Sequence, residues 1–414
     1  MTRASASPAP GAISPAPPRL LRPRGSNQVG MRQFNERVVL QALRLHGSLP
    51  KADLARLTGL TAQTIGLITA RLEEDGLLIR QDRVRGRIGQ PSVPLALNPD
   101  GAFSVGIKIG RRSTDSLLVD FTGKVRQRLS VTYPFPEAGT LIPTIGQHLR
   151  TLREQLGPLA PRLVGVGVAA PFQFGGWHRM LGLSDDQSDA WNRIDLGTEV
   201  QAMADLPVNF AKDTSAACVA ELVAGRGRDL KSFLYLFVDT FVGGGLVINS
   251  HPHAGIHGNA GAVASLPLQV AQAADAPPQL ISQASLWELE RRLVAQGLDP
   301  AAAYDERALQ PPFDQETGAW VASAANALAH CVVSATAFLD IDAVVMDGSF
   351  CRPLLLQLIE RTREALGRYN WEGLWPATVI AGDMGPDARA LGGALLPLHA
   401  NFAPDPDLFL KVGG

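Results

Sequence analysis

Along the first hundred positions the apolar residues recur with helical spacing and then with strand spacing. In NQVGMRQFNERVVLQALRLHG, Val39, Leu40 and Leu43 share a face, which predicts a helix from about Met31 to His46 that Gly47 ends. In SLPKADLARLTGLTAQTIGLITARLEEDG, from Ser48 to Gly76, Leu54 and Leu57 mark a second helix, Gly59 permits a sharp turn, and Thr61 can cap a third. Ile65, Ile68 and Leu72 fall on one side of that third helix and turn Gln63, Leu67 and Ala70 outward, with Gly66 beside them. This is the pattern of a helix-turn-helix; an ordinary helical hairpin shares it. After Gly76, two short strands are predicted, Leu77 to Gln81 and Val93 to Leu97, around a loop holding Arg83, Arg85, Arg87, Gly89, Gln90 and Pro91. Such a hairpin is either a wing or an exposed basic turn.

From Asn98 the pattern changes. Three consecutive strands are predicted, Ser104 to Ile109, Thr114 to Asp120 and Val125 to Tyr133, then a helix near Leu141 to Leu156 and the apolar strand LVGVGVAAP. A stretch with Trp177, Trp191 and several Asp separates these from a short helix at Thr198 to Ala204, the strand PVNFA and the helix DTSAACVAELVAG. The strands FLYLFVD and GGLVI open a second half, with a loop from Thr240 to Gly245 between them. Ala-rich helices, the strand AVVMDG, a helix from about Pro353 to Tyr369, the strand TVIAG and a helix ending near His399 complete it. Strands followed by helix-strand alternation, twice over, predict two α/β lobes facing a cleft, residues 99–230 and 231–399. Residues 1–26, rich in Pro, Ala, Ser and Arg, read as a disordered basic tail. Residues 27–98 form a separate unit, and 400–414 a C-terminal tail.

A chain of 414 residues exceeds one compact core. No stretch reads as the run of about 20 apolar residues that crosses a bilayer, and the N-terminus has no apolar segment of a secretory signal, so a cytoplasmic protein with no membrane contact is expected. Cys218, Cys331 and Cys351 lack CxxC spacing and read as buried thiols in a reducing compartment. Charge is unevenly shared. Residues 1–97 hold 14 Lys and Arg against 6 Asp and Glu, or +8, and the rest hold 24 against 33, or −9.

A basic unit carrying a helix-turn-helix suits a phosphate backbone, because each neutralised phosphate releases counterions. The expected contacts with double-stranded DNA are Thr61, Gln63, Thr64, Leu67 and Arg71 on the recognition helix and Arg83, Arg85, Arg87 and Gln90 on the wing. Gln63 can pair with an adenine edge, Leu67 can rest on a thymine methyl, and the arginines can enter a narrow minor groove.

From about Asn27 to His399 the chain resembles the ROK family of repressors and sugar kinases, built on the actin and hexokinase-like (ribonuclease H-like) fold. The resemblance lies in the winged helix followed by a three-strand meander, in VGVGVAAP, KDTSAACVAE, VGGGLVIN and GIHGNAGAV, and in their order, which is that of the family's repressor branch. It implies kinase ancestry, but the kinase motifs depart from the family pattern. Lys108 stands where the first phosphate motif has Asp, Arg111 and Arg112 replace its Gly, and Phe241 replaces a Gly of the second. The late adenosine turn reads Met346, Asp347, Gly348, Ser349. In the sugar pocket Asp213 matches the general base, Lys212 replaces Asn, and Ala260 to Ser265 lack the family's Glu and zinc-binding His. PPQLISQASLWELE carries no Cys, so neither a metal nor a cofactor is expected. His251, His253 and His257 lie close in sequence and could ligate a metal, but read more simply as a solvent-facing loop.

By resemblance, Lys212, Asp213, Asn259 and Glu288 (or Trp287) line the site of a sugar-like effector, with Trp177 and Trp191 as stacking or core residues. Asp213 could equally cap the following helix. The expectation is a non-enzymatic DNA-binding repressor of carbohydrate genes, a homodimer or homotetramer on a palindromic operator. The alternatives are a kinase with an appended DNA-binding unit and a constitutive DNA-binding dimer without an effector.

Overall fold

Val39, Leu40 and Leu43 of the first helix and Leu54, Ile65, Ile68 and Leu72 of the next two meet in one buried cluster, so the helical spacing translates directly into a three-helix unit. Burial of each such side chain contributes about 1.5–3 kcal/mol. The computed structural model describes residues 28–82, 93–171, 189, 191, 193–271 and 276–404. The proposed tail 1–26, the wing residues Arg83, Arg85, Arg87 and Gln90, the tryptophan Trp177 and residues 405–414 lie outside the described residues.

Helix α1 spans Gln28–His46, α2 Lys51–Thr58 and α3 Ala62–Glu74. Gly59 ends α2 at φ 70°, a left-handed conformation that an L side chain resists, and so sets the turn between the two helices. At the start of α3 the Thr64 N–H donates to the Thr61 hydroxyl at 3.2 Å. Strands β2 (Leu78–Arg80) and β3 (Leu95–Leu97) pair antiparallel, as the alternation predicts. A further strand, β1 (Ser48–Leu49), joins β3 on its other side. Two residues show no period, so β1 is invisible in the sequence.

The first lobe is a five-stranded sheet in the order β6-β5-β4-β7-β8. Its strands are β4 (Phe103–Ile109), β5 (Ser113–Asp120), β6 (Val125–Thr132), β7 (Leu163–Ala170) and β8 (Val208–Lys212). The first three form an antiparallel meander, and β7 and β8 add in parallel. One face is covered by α4 (Ala138–Leu156), through Leu141, Ile145, Leu149 and Leu152, and by α5 (Leu196–Ala204). Helix α6 (Asp213–Ala224) follows β8 directly.

The second lobe repeats the plan in the order β11-β10-β9-β12-β13. Its strands are β9 (Phe233–Val238), β10 (Gly243–Ile248), β11 (His251–Pro252), β12 (Ala343–Gly348) and β13 (Thr378–Ala381). Helices α7 (Ile281–Ala284), α8 (Leu286–Ala295), α9 (Asp314–Leu339) and α10 (Arg352–Leu366) belong to it. The expectation of no long apolar stretch is corrected by α9, 26 residues and apolar enough to cross a membrane by length and composition. Here it is a core helix, with Trp320, Val321, Ala324, Leu328 and Val332 buried among residues of α8 and α10.

The last helix, α11 (Ala388–Phe402), runs on past His399. It does not stay with the second lobe but crosses back to lie on β4, β7 and α6 of the first. Glycines make this possible. A Cβ on Gly392 would overlap the Ala216 carbonyl of α6, and one on Gly167 the Gly393 carbonyl. At its far end α11 packs Phe402 edge-on against Phe121 of the first lobe at 4.8 Å and there meets the N-terminal unit, with Arg37 of α1 donating to the Ala403 carbonyl. Leu395 and Leu398 join Val39, Leu40 and Leu43 in the same apolar cluster.

Candidate functional site

Two surfaces emerge from this fold. The first is the outer face of α3. With Ile65, Ile68, Thr69 and Leu72 turned inward, Gln63, Leu67, Ala70 and Arg71 are exposed, Leu67 by 69%. Arg71 lies 3.7 Å from Glu36 and 3.9 Å from Asp75, long pairs that leave its guanidinium at the surface. The Thr61 and Thr64 hydroxyls are 2.9 Å apart and serve the helix cap.

The second surface is a cleft of about 830 Å³ between the lobes, where the carboxyl ends of β8, β9 and β12 and the β4–β5 turn converge. Lys108 leaves β4 into this space, its Nζ donating to Ser113 Oγ at 2.6 Å and lying 3.2 Å from Asp115. Burial, and after it Arg389, pull its pKa below the ordinary lysine value. The Arg111 guanidinium covers the Phe241 ring at 4.7 Å, reaching from the first lobe to the second. Beside it Arg112 forms a bidentate pair with Glu290 of α8 at 2.8 and 2.9 Å, and its guanidinium sits 5.6 Å from the centre of the Tyr304 ring. Arg111, Arg112 and Phe241, three of the departures read from the sequence, therefore join the two lobes across the cleft, while Lys108 stays with Ser113 and Asp115 of the first lobe.

On the cleft floor, Arg389 at the start of α11 pairs with Asp239 at 2.5 Å and Asp213 at 3.5 Å. Burial opposes ionisation of Asp239, yet Arg389, the Thr240 N–H and Lys108 together hold its carboxyl below the ordinary range. Lys212 is buried, its Nζ donating to the Ala260 carbonyl at 2.9 Å and to Asn259 Oδ1 at 3.4 Å. Burial lowers its pKa to about 8, and Asp213 offsets only part of that shift.

The structure brings Lys212, Asp213 and Asn259 into the cleft wall. Glu288 is not among the described lining residues: its carboxylate is held by Arg291 and Arg292 at 2.9 and 3.0 Å, partners that helical spacing on α8 places beside it. Trp191 is core, its indole N–H donating to the Pro136 carbonyl at 2.7 Å, so it is no platform for a sugar. Asp213 is the first residue of α6, with Lys212 in the cap position, and its carboxylate accepts the Thr214 N–H at 2.8 Å. Among the described residues no group of three His, Cys, Asp or Glu could hold a metal. His251 Nδ1 lies 2.6 Å from the Asn249 carbonyl.

Sequence reasoning missed Arg389, Asp239, Asp115 and Arg128. Asp239 carried a signal, a carboxylate at the end of an apolar strand just before a glycine loop. Arg389 carried none, because only the crossing of α11 brings it to the floor.

Two five-stranded sheets of like topology around a cleft, with a helix-turn-helix and a small three-stranded sheet ahead of them, define an actin- and hexokinase-like body behind an N-terminal helical head. The chain carries a ROK family domain: residues 104–278 match the model of that family. A protein named y4fQ from Sinorhizobium fredii is 25% identical over 374 residues, 89% of this chain and 92% of its own. The xylose repressor of Bacillus subtilis is 22% identical over 269 residues, 64% of this chain and 67% of its own. Among solved structures, a ROK family transcriptional regulator described as a homolog of the Escherichia coli MLC protein superposes with a TM-score of 0.65 at 17% identity, covering 90% of this chain and 97% of its own. A ROK family glucokinase from Streptomyces griseus, in complex with glucose and AMPPNP, superposes at 0.57 and 21% identity, covering 71% and 99%. At these identities the structural likenesses establish the fold.

Proposed function

We propose that this protein is a cytoplasmic DNA-binding transcriptional regulator, a repressor of carbohydrate genes whose operator affinity is set by a sugar-like effector in the interlobe cleft. The observation that carries this reading is the exposed face of α3, where Gln63, Leu67, Ala70 and Arg71 stand clear on a helix locked from behind by Ile65, Ile68 and Leu72. Burying Leu67 against a thymine methyl removes an apolar side chain from water, and the Gln63 amide reads an adenine edge. The naming of the Bacillus subtilis relative as a xylose repressor agrees with it. The wing arginines, with Arg87 foremost, add minor-groove contacts in this reading.

Kinase chemistry is disfavoured by the same geometry that shapes the cleft, since Arg111 over Phe241 and Arg112 on Glu290 occupy the approach to the phosphate loops. Two copies on a palindrome would place their recognition helices about 34 Å apart, or a multiple of it. Selection of duplexes from a random pool tests the reading. An inverted repeat should emerge with wild-type protein, and Gln63→Ala should relax preference at one base pair per half-site by roughly 1–3 kcal/mol. Recovery of no enriched duplex at low salt would refute it.

A further inference from the structure

The cleft wall is richer in cations than in anions. Among the described residues Lys108, Arg111, Arg112, Arg128, Lys212 and Arg389 face Asp115, Asp213, Asp239 and Asp387, six against four; counting Glu290 behind Arg112 leaves a surplus of one. The carboxylates are already engaged. Asp115 is held by Lys108, Asp387 by Arg128 at 2.7 Å, and Asp213 and Asp239 by Arg389.

Among the described residues Lys212 makes no ion pair within 4 Å, and the nearby Asp213, which offsets part of its burial, is itself engaged by Arg389. The lysine's hydrogen bonds go to a carbonyl and an amide oxygen, both neutral, while 92% of its surface is out of water at 8% exposure. An ammonium has three donors, so one is left over along with most of the charge. A buried cation in this state is costly, and whatever anion reaches it gains an interaction strengthened by the low local dielectric. A neutral sugar can satisfy the donor but not the charge.

We propose, resting on the regulator reading above, that the effector is an anionic sugar derivative, a sugar carboxylate or sugar phosphate whose negative group sits directly on Lys212 and beside Arg111. The lysine and arginines that displaced the metal-dependent phosphate seat of a kinase thereby serve as a metal-free anion seat. The volume, about 830 Å³, admits a monosaccharide carrying such a group.

Calorimetric titration of the full chain with a panel of hexoses, the matching uronates, the matching 6-phosphates and inorganic phosphate tests this. At least one charged sugar should bind ten-fold or more tightly than its neutral parent, with affinity falling as sodium chloride is raised. The preference should collapse in Lys212→Met and return in Lys212→Arg, which keeps the charge and shows that the fold tolerates substitution. Binding by uronates alone or phosphates alone identifies which anion is used. Neutral hexoses binding as tightly as charged ones, inorganic phosphate matching the sugar phosphates, a preference that survives Lys212→Met, or no anion binding at all would each overturn the proposal. None of these outcomes touches operator recognition, which duplex selection measures without ligand.

Discussion

Lys212 shows how one side chain can make stability depend on pH. Its folded pKa is about 8, against 10.5 for an ordinary lysine, and the groups that face it are Asp213 and the Cys218 thiol, which burial keeps protonated. Between those two values the unfolded chain binds more protons than the folded one, so stability rises with pH across that window. Below pH 8 the buried charge exacts its full cost, up to roughly 3 kcal/mol. Lys212→Met should therefore stabilise the ligand-free protein at pH 7 and flatten the rise from about pH 8 to 10, as read by urea denaturation across pH. An unchanged slope would mean that water reaches the ammonium. The residue itself was legible as a departure from the family pattern; its burial was not, because that depends on the loop at Asn259 and Ala260, 47 and 48 residues away.

At the scale of the element, α11 does the most with the least side chain. Its register on the first lobe is set by contacts of Gly392 with Ala216 and of Gly393 with Gly167, and the hydroxyl of Ser104 donates to the Ala394 carbonyl at 2.5 Å. Gly392→Ala should cost on the order of 3 kcal/mol in denaturant unfolding, since backbone on both sides has to move. Gly318→Ala on α9, where a Cβ meets nothing within 4 Å, should be neutral or gain up to about 1 kcal/mol. Equal effects at the two sites would show that α11 is not closely packed. The helix was readable as a helix, but nothing in LGGALLPLHA tells which of two like sheets receives it.

Across the whole molecule, β5 and α11 both run from the cleft to the N-terminal helix-turn-helix unit. β5 starts at Ser113 beside Lys108 and leads to Phe121, whose carbonyl accepts from Arg44 of α1 at 3.2 Å. α11 starts next to Asp239 through Arg389 and ends at Phe402 on Phe121, while Arg37 of α1 donates to the Ala403 carbonyl at 3.3 Å. Just before α11, the N–H groups of Asp383 and Met384 are held by Glu221 of α6 and that of Gly385 by Asp347 of β12, which ties the start of the helix to both lobes. A ligand shifts operator affinity only by its difference in affinity between two arrangements of these parts. Phe402→Ala should leave ligand-free operator affinity within a few-fold of wild type and reduce the ligand's effect on it by about five-fold or more, measured as operator binding with and without saturating ligand. Undiminished coupling would exclude this contact as a route.

The helix-turn-helix, the strand meanders and the departures from the kinase motifs could all be read along the chain, because helical and strand periods and single changes at Lys108 and Phe241 are local properties of sequence. The occupants of the cleft floor, the inward turn of Trp191 and the capture of Glu288 by Arg291 and Arg292 were decided by tertiary structure alone. Those outcomes depend on which of several apolar faces pack together and which cation lies nearest each acid once they do. Distances of that kind are set by packing between residues as far apart as Asp213 and Arg389, and sequence spacing does not encode them.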